Sequence, residues 1–325
     1  MPDRPSATLI ADQPPPESLG HLRARNRAGW QALAMVGSVS AAGLALALQP
    51  AWLAWLVGQL CLALAFLQWF VVLHEAGHKT LFRSRRANLM AGHLASLPSL
   101  IPFLAWRRIH ARHHKYTGWQ DLDATTALLV PRRVAGWERF AINLAWLTWL
   151  PLFSILYRLQ NFWNVKRVGA YLEQSRDRPA LVGNCLALAA AYALILAVFG
   201  PWAVLVTVGP GLVLSLMAQD VILLSQHTHM PTKRSEGEAV RCFTPMEQEP
   251  FTRSLRLPDW LSRLILGFDL HELHHMYVHV PGYDLHRIPY RAQNEVHWLT
   301  WLKGAKRLSG KAFLFGNRDE TGFRL

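Results

Sequence analysis

Long, unbroken apolar stretches set the pattern of the chain. Four of them, residues 28–48, 51–73, 181–199 and 202–225, are each close to the ~20 residues that a helix needs to cross a bilayer. Short, uncharged breaks at Gln49-Pro50 and Gly200-Pro201 separate the two members of each pair. The pattern predicts an all-α integral membrane protein whose four transmembrane helices form two hairpins.

Two shorter apolar segments need a separate interpretation. Residues 89–106 contain Pro98 and Pro102, and both this segment and residues 142–157 have basic residues at each end. Crossing the membrane would carry one basic flank to the side where basic residues are disfavoured. We therefore predict that both are re-entrant or interfacial segments.

The distribution of charge supports a membrane protein and orients it. Charged residues make up 17% of the sequence, against about 25% in a typical soluble domain. The 34 Lys and Arg residues contribute to a net charge of +13, yet none lies in residues 28–78 or 181–225. A nucleic-acid-binding protein would interleave basic residues with its folded core. Because basic loops prefer the cytoplasm, residues 74–180 and 226–325 are predicted to form a helical cap on the cytoplasmic side.

The sequence suggests three parts. The Pro-rich residues 1–27 are interpreted as a flexible N-terminal tail, residues 28–295 as the membrane domain, and residues 296–325 as an amphipathic C-terminal tail. The three cysteines have neither disulfide nor metal-ligand spacing, so they are interpreted as packing residues.

Histidines are concentrated in three short motifs. They are His-Glu-Ala-Gly-His at 74–78, His-Ala-Arg-His-His at 110–114 and His-Glu-Leu-His-His at 271–275. Spacings of three and four residues put side chains on one face of a helix. All three motifs fall on the predicted cytoplasmic side, and eight imidazoles exceed what one ion can bind. The sequence predicts a dimetal site, and imidazole alone does not select the metal. The predicted ligands are His74, His78, His110, His113, His114, His271, His274 and His275.

Further polar residues are candidates for supporting roles. Gln226-His227-Thr228-His229 follows the fourth apolar stretch, and we predict His229 rather than His227 as a ninth ligand. Asp220 lies inside that stretch, where an acid is costly, and could orient a ligand imidazole or lie shallow and hydrated. The other predicted orienting residues around the ligands are His227, Asp123, Glu75 and Glu272.

Two other functions compete with a dimetal enzyme. The first motif reads His-Glu-x-x-His, which is typical of a zinc metalloprotease with Glu75 as general base. A metalloprotease would bind one zinc ion, and six of the eight motif histidines would then have no assigned role. A metal transporter or sensor would hold its site near the bilayer midplane, whereas these motifs lie at helix ends.

Taken together, the three motifs resemble the histidine boxes of the membrane-bound fatty acid desaturase and hydroxylase superfamily. The residues His114-Lys115-Tyr116-Thr117-Gly118 are similar to the family's second box, and the run from His275 to Leu285 is similar to the stretch after its third box. Val278 replaces a Pro that is common there. The resemblance covers about residues 30–295.

The resemblance implies two iron ions (Fe2+/Fe3+), dioxygen as co-substrate and an acyl lipid as substrate. It implies a fatty acyl desaturase, with a hydroxylase, ketolase or oxidative decarboxylase of another lipid as the alternative. Electrons would come from a separate ferredoxin-like or haem protein with its reductase, because the sequence carries no haem, iron–sulfur or nucleotide-binding motif of its own. Few Lys beside many Arg favour a bacterial inner membrane.

Overall fold

The computed structural model describes residues 13–171 and 177–325. The long helices are α1 (Asn26–Ala47), α2 (Trp52–His78), α8 (Arg178–Phe199) and α9 (Pro201–His227). Between α2 and α8 lie α3 (Arg85–Ser99), α4 (Phe103–Tyr116), α5 (Gly136–Thr148), α6 (Leu152–Arg158) and α7 (Val165–Ala170). After α9 come α10 (Asp259–Leu264), α11 (His271–Met276), α12 (Trp298–Ala305), α13 (Gly310–Phe315) and α14 (Arg318–Thr321). Two short strands, β1 (Leu255–Arg256) and β2 (Val296–His297), pair in parallel.

Four helices, α1, α2, α8 and α9, are long and apolar enough to cross a membrane, as the sequence predicts. Two of them extend beyond the apolar stretches that define them. Helix α2 continues to His78 and α9 continues to His227, so each apolar helix ends in a turn that carries histidines.

Small residues let α2 pack closely against α1. A Cβ atom added to Gly58 would lie 2.5 Å from the backbone nitrogen of Ala47, and one added to Gly43 would lie 3.0 Å from Leu62. Close backbone approach through glycine is typical of helix pairs in membranes. Helix α2 also packs on α3 and α9, which places it at the centre of the fold.

Side chains of α2 hydrogen-bond the backbone of α9 at the Gly209-Pro210-Gly211 interruption. Pro210 has no N–H, so the carbonyl of Val206 is left free and instead accepts a hydrogen bond from Trp55 Nε1 at 3.1 Å. The Gln59 amide donates to Thr207 O at 2.9 Å and accepts from Gly211 N at 2.8 Å. The backbone groups Val206 O, Thr207 O and Gly211 N thereby have partners, as a bilayer interior requires.

The two shorter apolar segments form sharply bent helix pairs. The angle is 99° between α3 and α4, and 119° between α5 and the helix formed by α6 with the π-helical turn Leu159–Trp163. The first pair leaves α2 just after His78 and returns to it at His110, whose Nε2 lies 2.7 Å from His78 Nε2. The pair therefore starts and finishes on the same side of the helices, in agreement with the predicted re-entrant segment.

The described part of the N-terminal segment and the C-terminal segment both pack on the rest of the protein. Residues 1–12 of the predicted N-terminal tail lie outside the described residues, but Leu19 and Leu22 are buried against Leu273 and Tyr277 beside the third histidine motif. In the C-terminal segment, α12 is amphipathic as expected. It buries Trp301 in a core that also contains residues of α9, α13 and β1. Apolar side chains on both segments explain why they are held.

Candidate metal centre

The ends of α2, α4, α9 and α11 bring two groups of imidazoles together. Within each group one nitrogen per ring lies within 4.8 Å of every other. The first group comprises His74, His78, His110 and His274, and the second comprises His113, His227, His271 and His275. Each group draws on at least three helices, so the complete fold assembles it.

The ring nitrogens approach one another as ligands of a common ion would. The Nε2 atom of His78 lies 2.7 Å from that of His110, and the corresponding distance from His113 to His275 is 3.2 Å. Two nitrogens bound at right angles about 2.1 Å from a metal would lie about 3.0 Å apart. His74 Nε2 is buried and has no hydrogen-bond partner among the described residues. Convergent ring nitrogens in both groups, together with the orphaned His74 Nε2 in the first, fit two metal sites.

His114 lies at the edge of the first group. Its Nε2 lies 3.1 Å from the Nε2 atoms of both His110 and His274, while its ring stacks on His275 of the second group at a centroid distance of 4.3 Å. All eight predicted motif histidines are thus in the assembly, and His114 lies where the two groups meet.

The residue that completes the second group is His227 and not His229. His227 Nε2 lies 2.8 Å from His271 Nε2. His229 instead places Nε2 3.0 Å from Phe313 O and accepts at Nδ1 from the hydroxyl of Thr321. The prediction of His229 as ninth ligand therefore disagrees with the geometry. The reason is that α9 ends at His227, and His229 has a left-handed backbone (φ 56°) beyond it.

Two of the predicted orienting acids contact a ligand ring. Glu75 Oε1 lies 3.1 Å from Nδ1 of His74, and Asp123 Oδ2 lies 2.8 Å from Nδ1 of His113. A carboxylate behind Nδ1 fixes the tautomer that leaves Nε2 free to bind metal. Each group thus has one buried carboxylate behind it.

Two other predicted acids lie elsewhere. Glu272 accepts from the backbone N–H groups of Ser254 and Asn294, so it joins β1 to the turn before β2. Asp220 accepts from the Ser154 backbone N–H at 2.7 Å and thereby anchors the start of α6 to α9. Within the described residues, neither carboxylate is hydrogen-bonded to a histidine of the two groups, so the proposed orienting role does not match their positions.

Gln248 is a site residue that the sequence did not reveal. Its side chain is 2% exposed. Its amide nitrogen donates to the backbone carbonyls of His114 (2.8 Å) and Phe243 (3.3 Å), which forces its oxygen to face His275 Nδ1 at 2.8 Å. His275 must then carry its proton on Nδ1 and present Nε2 to the second group. Gln248 lies in the 3-10 helix Pro245–Phe251, outside any motif, so spacing gave no signal.

Replacing Gln248 by Leu is expected to weaken metal binding about 10- to 100-fold, the usual effect of losing a residue that orients a ligand. The reason is that His275 loses the acceptor that fixes its tautomer. Chelator competition on the purified protein measures the change. Gln160→Leu, at an exposed position, is the matched control and should bind metal as the wild type does. Equal affinity of the two variants would contradict the role of Gln248.

A glycine inside the first motif makes room for a tryptophan. A Cβ atom on Gly77 would overlap the indole ring of Trp106, and that ring stacks on His110 at 4.3 Å between centroids. Trp106 also meets His74 edge-on at 5.5 Å. The absence of a side chain at position 77 therefore lets one indole hold rings from two motifs in place.

Gly77→Ala is expected to destabilise the protein by about 1–3 kcal/mol, because the indole has to move. Thermal unfolding in detergent should show a midpoint several degrees lower, together with reduced metal content. Gly37→Ala in α1 is the control: nothing lies within 4 Å of the added atom, so the better helix propensity of Ala should leave the midpoint unchanged or raise it. A midpoint for Gly77→Ala equal to that of the control would refute the packing argument.

The environment of the groups favours the neutral form of five of the imidazoles. Burial, reinforced by the neighbouring imidazoles, lowers the pKa of five ligand candidates well below the ordinary value; they are His110, His114, His271, His274 and His275. Burial tends to raise the pKa of Asp123, but the His113 imidazole and hydrogen bonds lower it overall. Neutral imidazoles and an ionised Asp123 are the protonation states that suit the binding of a transition metal.

An apolar cavity reaches both histidine groups. It encloses about 930 Å³ of empty space, including its open mouth. His74 and His110 of the first group and His113, His227 and His271 of the second line one part of it. Most of the remaining surface is apolar and includes Phe70, Trp106, Phe153, Tyr157, Leu223 and Phe268, while Gln120, Thr125, Gln226 and Asn317 are among its polar lining residues. A flexible apolar chain lying in this cavity would contact both groups.

Comparison with known proteins gives the family. A family model described as fatty acid desaturase matches residues 50–302, so the chain belongs to the fatty acid desaturase family. It is 27% identical over 300 residues to the probable fatty acid desaturase DES1 of Sorghum bicolor, covering 85% of this chain and 75% of that protein. It is 26% identical over 298 residues to the sn-1 oleoyl-lipid 12-desaturase of Anabaena variabilis, covering 88% and 81%. It is 24% identical over 304 residues to the chloroplastic sn-2 acyl-lipid omega-3 desaturase (ferredoxin) of Helianthus annuus, covering 85% and 66%.

Proposed function

We propose that the protein is an oxygen-dependent lipid oxidoreductase that inserts a double bond into a fatty acyl chain. The observation that carries this proposal is the apolar cavity that meets both histidine groups. An acyl chain bound there would lie against both histidine groups, where the proposed metal ions would supply oxidising power. The names of the relatives, which are acyl-lipid desaturases, support the same function.

Two iron ions are the proposed cofactors. The first would be held by His74, His78, His110, His114 and His274, and the second by His113, His227, His271 and His275. Iron with dioxygen and two electrons supplies the power to remove hydrogen from an unactivated C–H bond. The protein's own residues position the acyl chain, exclude water from the apolar cavity and fix the tautomers of the ligands.

The site is proposed to face the cytoplasm of a bacterial inner membrane. The C-terminal ends of α2 and α9 meet at the histidines, and the basic residues are confined to the segments on that side. This basic face suits a separate acidic electron donor of the ferredoxin type with its reductase. The name of the sunflower relative includes ferredoxin, which favours that donor over a haem protein.

The geometry disfavours the zinc-protease alternative. A general base must be free to reach a metal-bound water. Glu75 instead receives hydrogen bonds from the hydroxyl of Thr80 at 2.7 Å and from Gly282 N at 2.9 Å, besides facing His74 Nδ1. The Glu75 carboxylate therefore lies on the Nδ1 side of His74, away from Nε2, and its oxygens are occupied by these contacts.

Lipid profiling of a host that expresses the chain tests the proposal. New unsaturated acyl chains should appear with the wild type and be absent with His274→Ala, because that variant removes a nitrogen of the first group. Equal expression of both proteins in the membrane fraction is the control. Hydroxylated or shortened products would identify one of the alternative reactions. Unchanged lipid and free-acid profiles with the wild type would exclude acyl desaturation.

A further inference from the structure

A second cavity, with basic walls, adjoins the apolar one. His229 and Met230 line both cavities and form the wall between them. The second cavity encloses about 540 Å³ including its open mouth, and the side chains of Arg253, Arg318 and Arg324 line it. Three guanidinium groups thus lie next to the cavity assigned to the acyl chain.

Arg253 is built into this cavity in an unusual way. Its side chain is 1% exposed, and Nη1 donates to the backbone carbonyls of Ser225 at 2.9 Å and Thr228 at 3.0 Å, at the end of α9. Its Nε is buried and has no hydrogen-bond partner in the described part of the chain. A buried donor without an acceptor is costly, and the carboxylate of Glu272 is close enough to favour the charged form of Arg253 but accepts its own hydrogen bonds from Ser254 and Asn294. Burial lowers the pKa of Arg253 to about 10, so the group stays cationic at neutral pH.

The other two arginines are weakly held. Asp319 Oδ1 lies 2.7 Å from Arg324 Nη2 and 3.9 Å from Arg318 Nε, and the Asp319 side chain is 68% exposed. Exposed ion pairs of this kind contribute little and exchange readily. Both guanidinium groups can therefore turn to an anion that enters the cavity, while Arg253 is fixed in place.

We propose that this arginine cavity binds the phosphate of the acyl carrier while the acyl chain occupies the apolar cavity. The inference rests on the proposed function and specifies its substrate class as an acyl chain on a phosphate-bearing carrier. Guanidinium groups present forked donors that match phosphate oxygens. The donors of three guanidinium groups outnumber the hydrogen bonds that the two oxygens of a fatty-acid carboxylate can accept, so a phosphate is the better match. A phospholipid headgroup and the phosphates of a coenzyme A thioester share this chemistry.

The test measures ligand binding to the metal-loaded full chain in dodecyl maltoside micelles, without turnover. The probes are dioleoylphosphatidic acid, oleoyl-coenzyme A, dioleoylglycerol, oleate and inorganic phosphate. The phosphate-bearing acyl ligands are expected to bind at least about 10-fold more tightly than dioleoylglycerol or oleate. The double variant Arg318→Gln/Arg324→Gln should abolish that difference and keep its metal content. The matched control, Arg85→Gln/Arg86→Gln, changes two exposed arginines at the start of α3 and should bind as the wild type does.

The outcomes separate the two proposals. Tighter binding of phosphatidic acid than of the thioester assigns the phosphate to a lipid headgroup, and the reverse assigns it to the thioester. Equal binding of dioleoylglycerol, or unchanged acyl-ligand affinity in the double variant, overturns the phosphate site, even if inorganic phosphate binds on its own. Arginine-dependent binding together with an unchanged host lipid profile would instead leave the site standing and overturn the desaturase function.

Discussion

His227→Ala is expected to remove the metal from the second group and to lower desaturation by more than about 100-fold. His227 contributes Nε2 at 2.8 Å from His271 Nε2 and is one of four nitrogens that surround the second position. Losing a residue that merely orients a ligand costs about 10- to 100-fold, so losing a ligand should cost more. Iron counted per purified chain, beside product formation, measures both effects.

His229→Ala is the matched control for that variant. His229 is two residues further along the chain, yet its ring nitrogens face Phe313 O and the Thr321 hydroxyl. The control should therefore retain two metal ions per chain, whereas His227→Ala should retain about one or fewer. If His229→Ala loses metal and His227→Ala keeps it, the assignment of His227 to the second group is wrong.

Leu223→Trp is expected to lower turnover of long acyl chains by about 10-fold or more while leaving both metals bound. Leu223 lies one helical turn before His227 in α9 and lines the apolar cavity with Phe153 and Tyr157. Overfilling such a space costs about 1–3 kcal/mol, which corresponds to roughly 5- to 150-fold. Rates for substrates of decreasing chain length measure the effect, and shorter chains should be affected less.

Leu205→Trp provides the comparison for this second variant. Leu205 is in the same helix but is 57% exposed on the surface that would face lipid, so an indole there should not alter turnover. If both tryptophan variants behave alike, the apolar cavity is not where the acyl chain lies. If Leu223→Trp loses its metal, the loss of rate has a different cause and the cavity assignment fails.

Much of the architecture could be predicted from hydropathy and charge. Helices α2 and α9 are predictable because stretches of about 20 apolar residues have few alternatives to a spanning helix. The bent pair α3–α4 was recognised because basic residues flank both its ends. The packing of Leu19 and Trp301 does not follow from the sequence, since an amphipathic segment is buried only where the fold offers an apolar face.

Some residues of the histidine centre could likewise be predicted from the sequence, and others could not. Eight candidate ligands could be predicted because spacings of three and four residues put imidazoles on one helical face. Glu75 and Asp123 were found because they lie within or just after a motif. Gln248 carries no such signal, because it is 27 residues from His275 along the chain and β1 and α10 lie between them.

The sequence by itself determined the class of fold, the four apolar helices and the eight motif histidines, because helix period and bilayer thickness act on local stretches of the chain. The tertiary structure decided how those histidines divide into two groups and that His227 replaces His229. It also decided which side chains orient the rings and that an arginine-lined cavity adjoins the apolar one. Those features depend on where α9 ends and on contacts between residues far apart in the chain, which no local pattern encodes.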